Sequence, residues 1–95
     1  MKWSIEFAKS VKQDLKKINP VDRTMIFKSL EQFEQNFDEI YEQELISSSK
    51  IKKLHGEWEG FFRLRLRSYR VIYEKMGDKL IVLVVRVAHR RGVYE

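Results

Sequence analysis

Two hydrophobic periods divide the chain near residue 50. Before that point apolar residues return every three or four positions, and after it every second position, so the pattern predicts helices first and strands afterwards. Trp3, Ile5 and Phe7 alternate with Lys2, Ser4 and Glu6, the signature of a short half-buried strand over 2–7. Phe7, Val11, Leu15 and Ile18 then follow at helical spacing and predict a short amphipathic helix that Asn19-Pro20 ends. Asn19 suits the N-cap of a second helix, Pro20 its first turn and Asp22 its positive end. In that helix Ile26, Leu30, Phe33, Phe37 and Ile40 form one stripe, and Ser47-Ser48-Ser49 marks the exit. The two helices form an αα-hairpin.

From Ile51 the period is two. Ile51–His55 predicts a first strand of the second half, Gly56 and Gly60 bracket a turn, and Phe61–Arg67 and Tyr69–Lys75 predict two more. Gly77-Asp78 is a hairpin signal, and Leu80-Ile81-Val82-Leu83-Val84-Val85 suits a strand covered on both faces. The expected fold is α+β: an N-terminal strand, an αα-hairpin, then a three- to four-stranded antiparallel sheet packed against the helices. With 95 residues, and neither repeat nor linker, residues 1–95 make one domain.

Charge changes the picture. Residues 1–49 hold seven Lys/Arg against nine Asp/Glu, whereas residues 50–95 hold twelve against five. Seven of the eight arginines lie between 63 and 91, inside the strand segments. A two-residue loop at Arg67-Ser68 sets Leu66 opposite Tyr69, Arg65 opposite Arg70, Leu64 opposite Val71 and Phe62 opposite Tyr73. Every core pair is then apolar, and two arginines stand side by side on the other face. A three-residue loop, Gly77 to Lys79, puts Arg86 opposite Arg70 and sends Ala88 and Arg90 to that face. A one-residue slip would turn Arg86 toward the helices, where an unpaired charge is costly. Like charges facing each other cost stability, and a polyanion bound there is the usual compensation. Arginine meets phosphate with a planar fork of donors, so Arg63, Arg65, Arg70, Arg86 and Arg90 outline a phosphate-binding face, with His89 and Tyr94 near its end. Clustered cations with an aromatic ring for base stacking suit RNA, whose 2′-hydroxyl supplies a built-in nucleophile.

Zero cysteines exclude disulfides and thiolate zinc sites and agree with a reducing cytoplasm. None of the usual metal-ligand spacings occurs, and no cofactor motif is present. The N-terminus MKWSIEFAKSVK has no uninterrupted apolar run, so neither a signal peptide nor a membrane partner is expected. Glu57, Glu59 and Glu74 read as solvated partners of nearby arginines, and Trp58, Phe61, Phe62 and Tyr73 as packing residues.

Four segments resemble a known family: Lys53-Leu54-Xaa-Gly56, Gly60-Xaa-Xaa-Arg63-Leu64-Arg65, Tyr69-Arg70-Val71-Ile72-Tyr73-Glu74 and His89-Arg90-Arg91-Xaa-Val93-Tyr94. Together with the order of elements they are similar to the RelE/ParE superfamily of type II toxins. The resemblance implies a cytoplasmic toxin held by a cognate antitoxin with an acidic or amphipathic segment. RelE-like members are ribosome-dependent endoribonucleases that cut mRNA in the A site by 2′-hydroxyl attack. ParE-like members poison DNA gyrase, and a nucleic-acid-binding module without catalysis is a third reading. Basic residues at the RelE-type positions favour the ribonuclease. On this reading Arg70 and Arg90 stabilise the phosphorane, Arg65 assists them, and Tyr94 or His89 moves protons or stacks on a base. Arg63, Arg67, Arg86, Arg91, Lys52 and Lys53 hold RNA. Arginine at 63 and 65, where relatives often carry lysine, stabilises charge but does not readily deprotonate. The chain also ends one residue after Tyr94, without the C-terminal helix of some relatives.

Overall fold

The computed structural model describes residues 2–92. Its elements are β1 (Ser4–Phe7), α1 (Lys9–Lys16), α2 (Pro20–Asn36), α3 (Glu39–Ser47), β2 (Ile51–Lys53), β3 (Phe62–Leu66), β4 (Tyr69–Met76) and β5 (Ile81–His89). Short 3₁₀ turns cover Gly56–Trp58 and Arg90–Gly92. The sheet order is β1-β5-β4-β3-β2. Strands β2 to β5 form the expected antiparallel meander. The N-terminal strand joins it as a fifth, parallel to β5, so the sheet is mixed. None of the described helices is long and apolar enough to cross a membrane.

Asn19 caps α2 by accepting the Asp22 N–H at 2.9 Å, with Pro20 in the first turn. Ile26, Leu30, Phe33 and Phe37 are buried as the stripe predicts, but Ile40 is 75% exposed. The helix ends at Asn36 because Phe37 turns extended, and Asp38 caps a separate helix α3 by accepting the Tyr41 N–H at 2.7 Å. Asp38 satisfies more backbone as a cap than it would inside a helix. The expected pair of helices is therefore three, and the apolar period restarts after the break.

The β3–β4 register matches the expected one at every pair, with Arg67 at φ 54 in the two-residue turn. The β4–β5 register differs. Met76 pairs with Ile81, and the pairing slips between Ile72 and Tyr73, so Arg70 faces Ala88 and Arg86 faces Ile72. The loop is four residues long, and a bulge at Val85 absorbs one more. The bulge lets both Val84 and Val87 reach the core, and Ser10 Oγ donates to the Val85 carbonyl at 2.6 Å. Because the two offsets together span two residues, Arg86 keeps the face predicted for it.

Beyond β1 the edge of β5 is covered by α1. Asp14, buried on the apolar stripe between Val11 and Ile18, accepts the Val87 N–H at 2.9 Å. It also takes Arg86 in a bidentate pair, Nε to Oδ2 at 2.9 Å and Nη2 to Oδ1 at 3.0 Å.

On the other side of the core, Tyr73 donates to buried Glu42 at 2.6 Å. Burial and the Glu42 carboxylate hold the Tyr73 phenol far above its ordinary range. Asp22, accepting the Tyr69 hydroxyl at 2.7 Å, raises that phenol too, with burial second. A raised folded-state pKa means that the unfolded chain releases its proton first. Stability is therefore full below the unfolded value of 10.0 and falls as pH rises above it. Tyr73 alone should contribute a slope of up to about 1.4 kcal/mol per pH unit there. Denaturant melts between neutral pH and pH 11 check this, and Tyr73→Phe should flatten the alkaline decline.

Candidate nucleic-acid interface

Alternation along three strands builds the site. Ile51, Leu64, Leu66 and Val71 enter the core, so Lys52, Arg63, Arg65 and Arg70 project from the opposite face. Lys52 pairs across the strands with Arg63, and Arg65 with Arg70. The approach to β2 adds two more residues. Lys50 N–H bonds to Leu45 O and Ser49 N–H to Ile46 O, a Schellman closure of α3 with Ser49 at φ 67. Serine takes the left-handed position that glycine usually fills, and the Lys50 carbonyl then accepts the Arg65 N–H at 2.9 Å.

Ser49, Lys50, Lys52, Arg63, Arg65 and Arg70 together line a cleft of about 90 Å³. Among the described residues its wall holds five cations and no carboxylate. Arg70 Nη1 donates to the carbonyls of Arg67 and Tyr69, both at 3.0 Å, which holds the guanidinium against the turn. Ile72, between Arg63 and Arg86 on this same face, is only 1% exposed. Long arginine stems cover apolar surface in this way while their heads stay near water.

Of the residues expected at the site, Lys52, Arg63, Arg65 and Arg70 come together in this cleft. Lys53 pairs with Phe62 and points to the other face of β2. Arg67 is exposed at the β3–β4 turn, and Arg86 is committed to Asp14. Arg90 is exposed, its N–H bonded to Ser68 O, so it lies beside that same turn, with Arg91 exposed next to it. His89 pairs with Tyr69, ring centroids 5.5 Å apart at 82°, and its Nδ1 accepts the Arg91 N–H at 3.2 Å. By alternation it belongs to the face away from Arg70. Tyr94 lies outside the described residues.

Sequence reasoning missed Ser49, Asp14 and Glu42. For the two acids a signal existed: each sits at helical spacing from apolar residues, Asp14 between Val11 and Ile18, Glu42 before Leu45 and Ile46.

The fold recurs in solved toxins. The archaeal RelE–RelB complex from Pyrococcus horikoshii OT3 aligns with a TM-score of 0.68 at 18% identity, over 98% of this chain and 100% of that one. The RelB–RelE antitoxin–toxin complex from Methanococcus jannaschii aligns at 0.60 with 28% identity, over 93% of each chain. In sequence, the RelE1 protein of Methanocaldococcus jannaschii is 27% identical across all of this chain and 98% of its own length. A family model described as the ParE toxin of the type II toxin–antitoxin system parDE matches residues 5–94. That match takes in every residue of the cleft, and the chain belongs to the RelE/ParE superfamily of type II toxin–antitoxin toxins.

Proposed function

We propose that this toxin is a ribosome-dependent endoribonuclease that cuts mRNA in the A site and arrests translation in the cytoplasm. The observation that carries this reading is the cleft whose described residues supply five cations and no carboxylate, with Arg65 and Arg70 paired across strands so that neighbouring guanidinium groups converge. Such a wall matches a phosphodiester and the extra charge that gathers on it in the transition state. The 2′-oxygen attacks phosphorus, the bond to the 5′-oxygen breaks, and the proton passes from the first oxygen to the second. The products are a 2′,3′-cyclic phosphate and a free 5′-hydroxyl. Arg70, pinned to the turn, supplies charge without reorganising, and Arg63 and Arg65 hold the backbone. Of the cleft cations only Lys50 and Lys52 can exchange a proton, since guanidinium groups do not.

This scarcity of proton-transfer groups motivates an expected result. Naked RNA should be cut poorly and ribosome-bound message well, because the ribosome holds the reacting groups in line. Primer extension on a translated message should show cuts in phase with the codons. Equal cleavage of free RNA at matched concentration would contradict the ribosome requirement.

The ParE description of the matched family favours a second reading, a poison of DNA gyrase. Gyrase-linked DNA breaks without codon-phased cuts would establish it. Under either reading the partner is a cognate antitoxin with an acidic or amphipathic segment, as RelB partners RelE in the solved complexes.

A further inference from the structure

We propose that Glu34 closes the free edge of β1 against pairing with β1 of a second copy of this chain. β1 is an outer strand of the sheet. It bonds to β5 through alternate residues: Ser4 N–H donates to the Leu80 carbonyl at 3.0 Å and Ala8 N–H to the Val84 carbonyl at 2.8 Å. The residues between them, Ile5 and Phe7, therefore turn their backbone groups to the open side. An open row of N–H and C=O groups is a template for another strand.

Glu34 reaches that row from α2. Its Oε2 accepts the Ile5 N–H at 2.7 Å and so stands where the carbonyl of an incoming strand would bond. An ionised acceptor makes a stronger bond than a carbonyl does, so an incoming strand gives less at this point than it displaces. The opposite edge of the sheet is protected by other means: β2 has three residues, and its Lys52 and Lys53 are exposed. β1 carries no lysine within Ser4–Phe7 and ends on Phe7, which is 44% exposed. Without Glu34, β1 is the edge left open to pairing.

The surroundings say what would pair there. Beside the edge runs a groove of about 240 Å³, lined by Ile5, Phe7, Phe27, Leu30, Glu31 and Glu34. A second groove of about 360 Å³ shares Phe7 and Phe27, whose rings meet at 6.0 Å and 76°. Phe27 is 45% exposed, so an apolar strip borders the strand. An antiparallel two-fold pairing centred on Glu6 sets Ile5 of one copy opposite Phe7 of the other. Each such pair exchanges both of its N–H···O bonds, including the Ile5 N–H that Glu34 now holds, and the two apolar strips meet on one seam. The same two-fold brings both Glu34 carboxylates, with Glu31 behind each, to that seam, where like charges repel. The occupied donor and the charge thus act together against a second copy.

Sedimentation of the purified toxin over a wide concentration series tests this. The wild type should remain monomeric, and Glu34→Ala, which places a good helix former in α2, should dimerise at least about tenfold more tightly. Glu34→Gln keeps an amide oxygen for the Ile5 N–H and should stay with the wild type. Amide hydrogen exchange locates the contact. In the wild type the Ile5 amide should exchange more slowly than the Phe7 amide at every concentration, a readout that needs no variant to fold. In Glu34→Ala both should exchange fast when dilute and become protected together as the dimer forms. Equal exchange of the two amides in the wild type overturns the proposal, as does dimerisation of the wild type or of Glu34→Gln as tight as that of Glu34→Ala. A dimer without protection at Ile5 and Phe7 overturns it too, because the contact then lies elsewhere. So does a Glu34→Ala chain that stays monomeric, and a gain in antitoxin affinity in that chain would assign the edge to the antitoxin instead.

Discussion

Arg70→Ala is expected to reduce mRNA cleavage by at least two orders of magnitude and to abolish growth arrest while the fold persists. Removing one preorganised donor from a site that stabilises developing anionic charge typically costs a factor of about 10²–10³. Arg70 is placed for that role by the turn, whose carbonyls at Arg67 and Tyr69 take its Nη1. The same bonds set the stability cost. The turn is exposed at Arg67, water replaces a lost donor there, and relief of repulsion with Arg65 offsets part of the change. A loss within about 1 kcal/mol follows. Arg70→Lys should recover little, because an ammonium keeps the charge but cannot span two carbonyls and a phosphate with a planar fork. Primer extension on a translated message and growth at matched expression measure the effect, and a thermal melt checks the fold. Full toxicity in Arg70→Ala would remove the cleft from the mechanism.

The sheet and the arginine cleft were legible because both follow from a period of two. Once Arg67-Ser68 is taken as the turn, alternation alone decides which side chains meet from Phe62 to Tyr73, and the structure keeps each of those pairs. Where alternation is interrupted, legibility stops. The bulge at Val85 is visible afterwards as Val84 and Val87 both entering the core three residues apart, yet a bulge and a longer loop cannot be separated from one sequence. The break before α3 was hidden because Phe37 stays buried on either side of the alternative, and only the capping preference of Asp38 marks it. Arg86 was legible in its face but not in its partner. Asp14 is 72 residues away in the chain, and no local pattern announces a bond over that separation. The pairing of β1 with β5 was beyond reach for the same reason: a parallel neighbour is set by the crossover, which leaves no mark on four residues.

Glu42→Leu should destabilise the fold by about 3 kcal/mol. The carboxylate is 1% exposed and accepts from Tyr73 at 2.6 Å and from Lys75 at 2.6 Å. Breaking a buried charged pair from one side costs about 3–5 kcal/mol, since the groups left behind keep their desolvation penalty. Here Tyr73 bears most of it: its hydroxyl is fully buried and has no water to turn to. Lys75 keeps 22% of its side chain exposed and rests over the Phe62 ring, so its ammonium can move outward, which holds the estimate at the low end. For a domain of this size the melting temperature should fall by about 12–24 °C. Tyr73→Phe removes the orphaned hydroxyl, so the double variant should be more stable than the sum of the single changes by about 1–2 kcal/mol. The consequence reaches the site, because α3 delivers Ser49 and Lys50 to the arginine cleft through its Schellman closure. A loosened α3 should weaken RNA binding even in the folded fraction, and Tyr73→Phe on the Glu42→Leu background should restore stability more fully than binding. Melts and anisotropy on the three variants decide it: a Glu42→Leu cost below about 1 kcal/mol would mean that apolar packing alone holds α3 to the sheet.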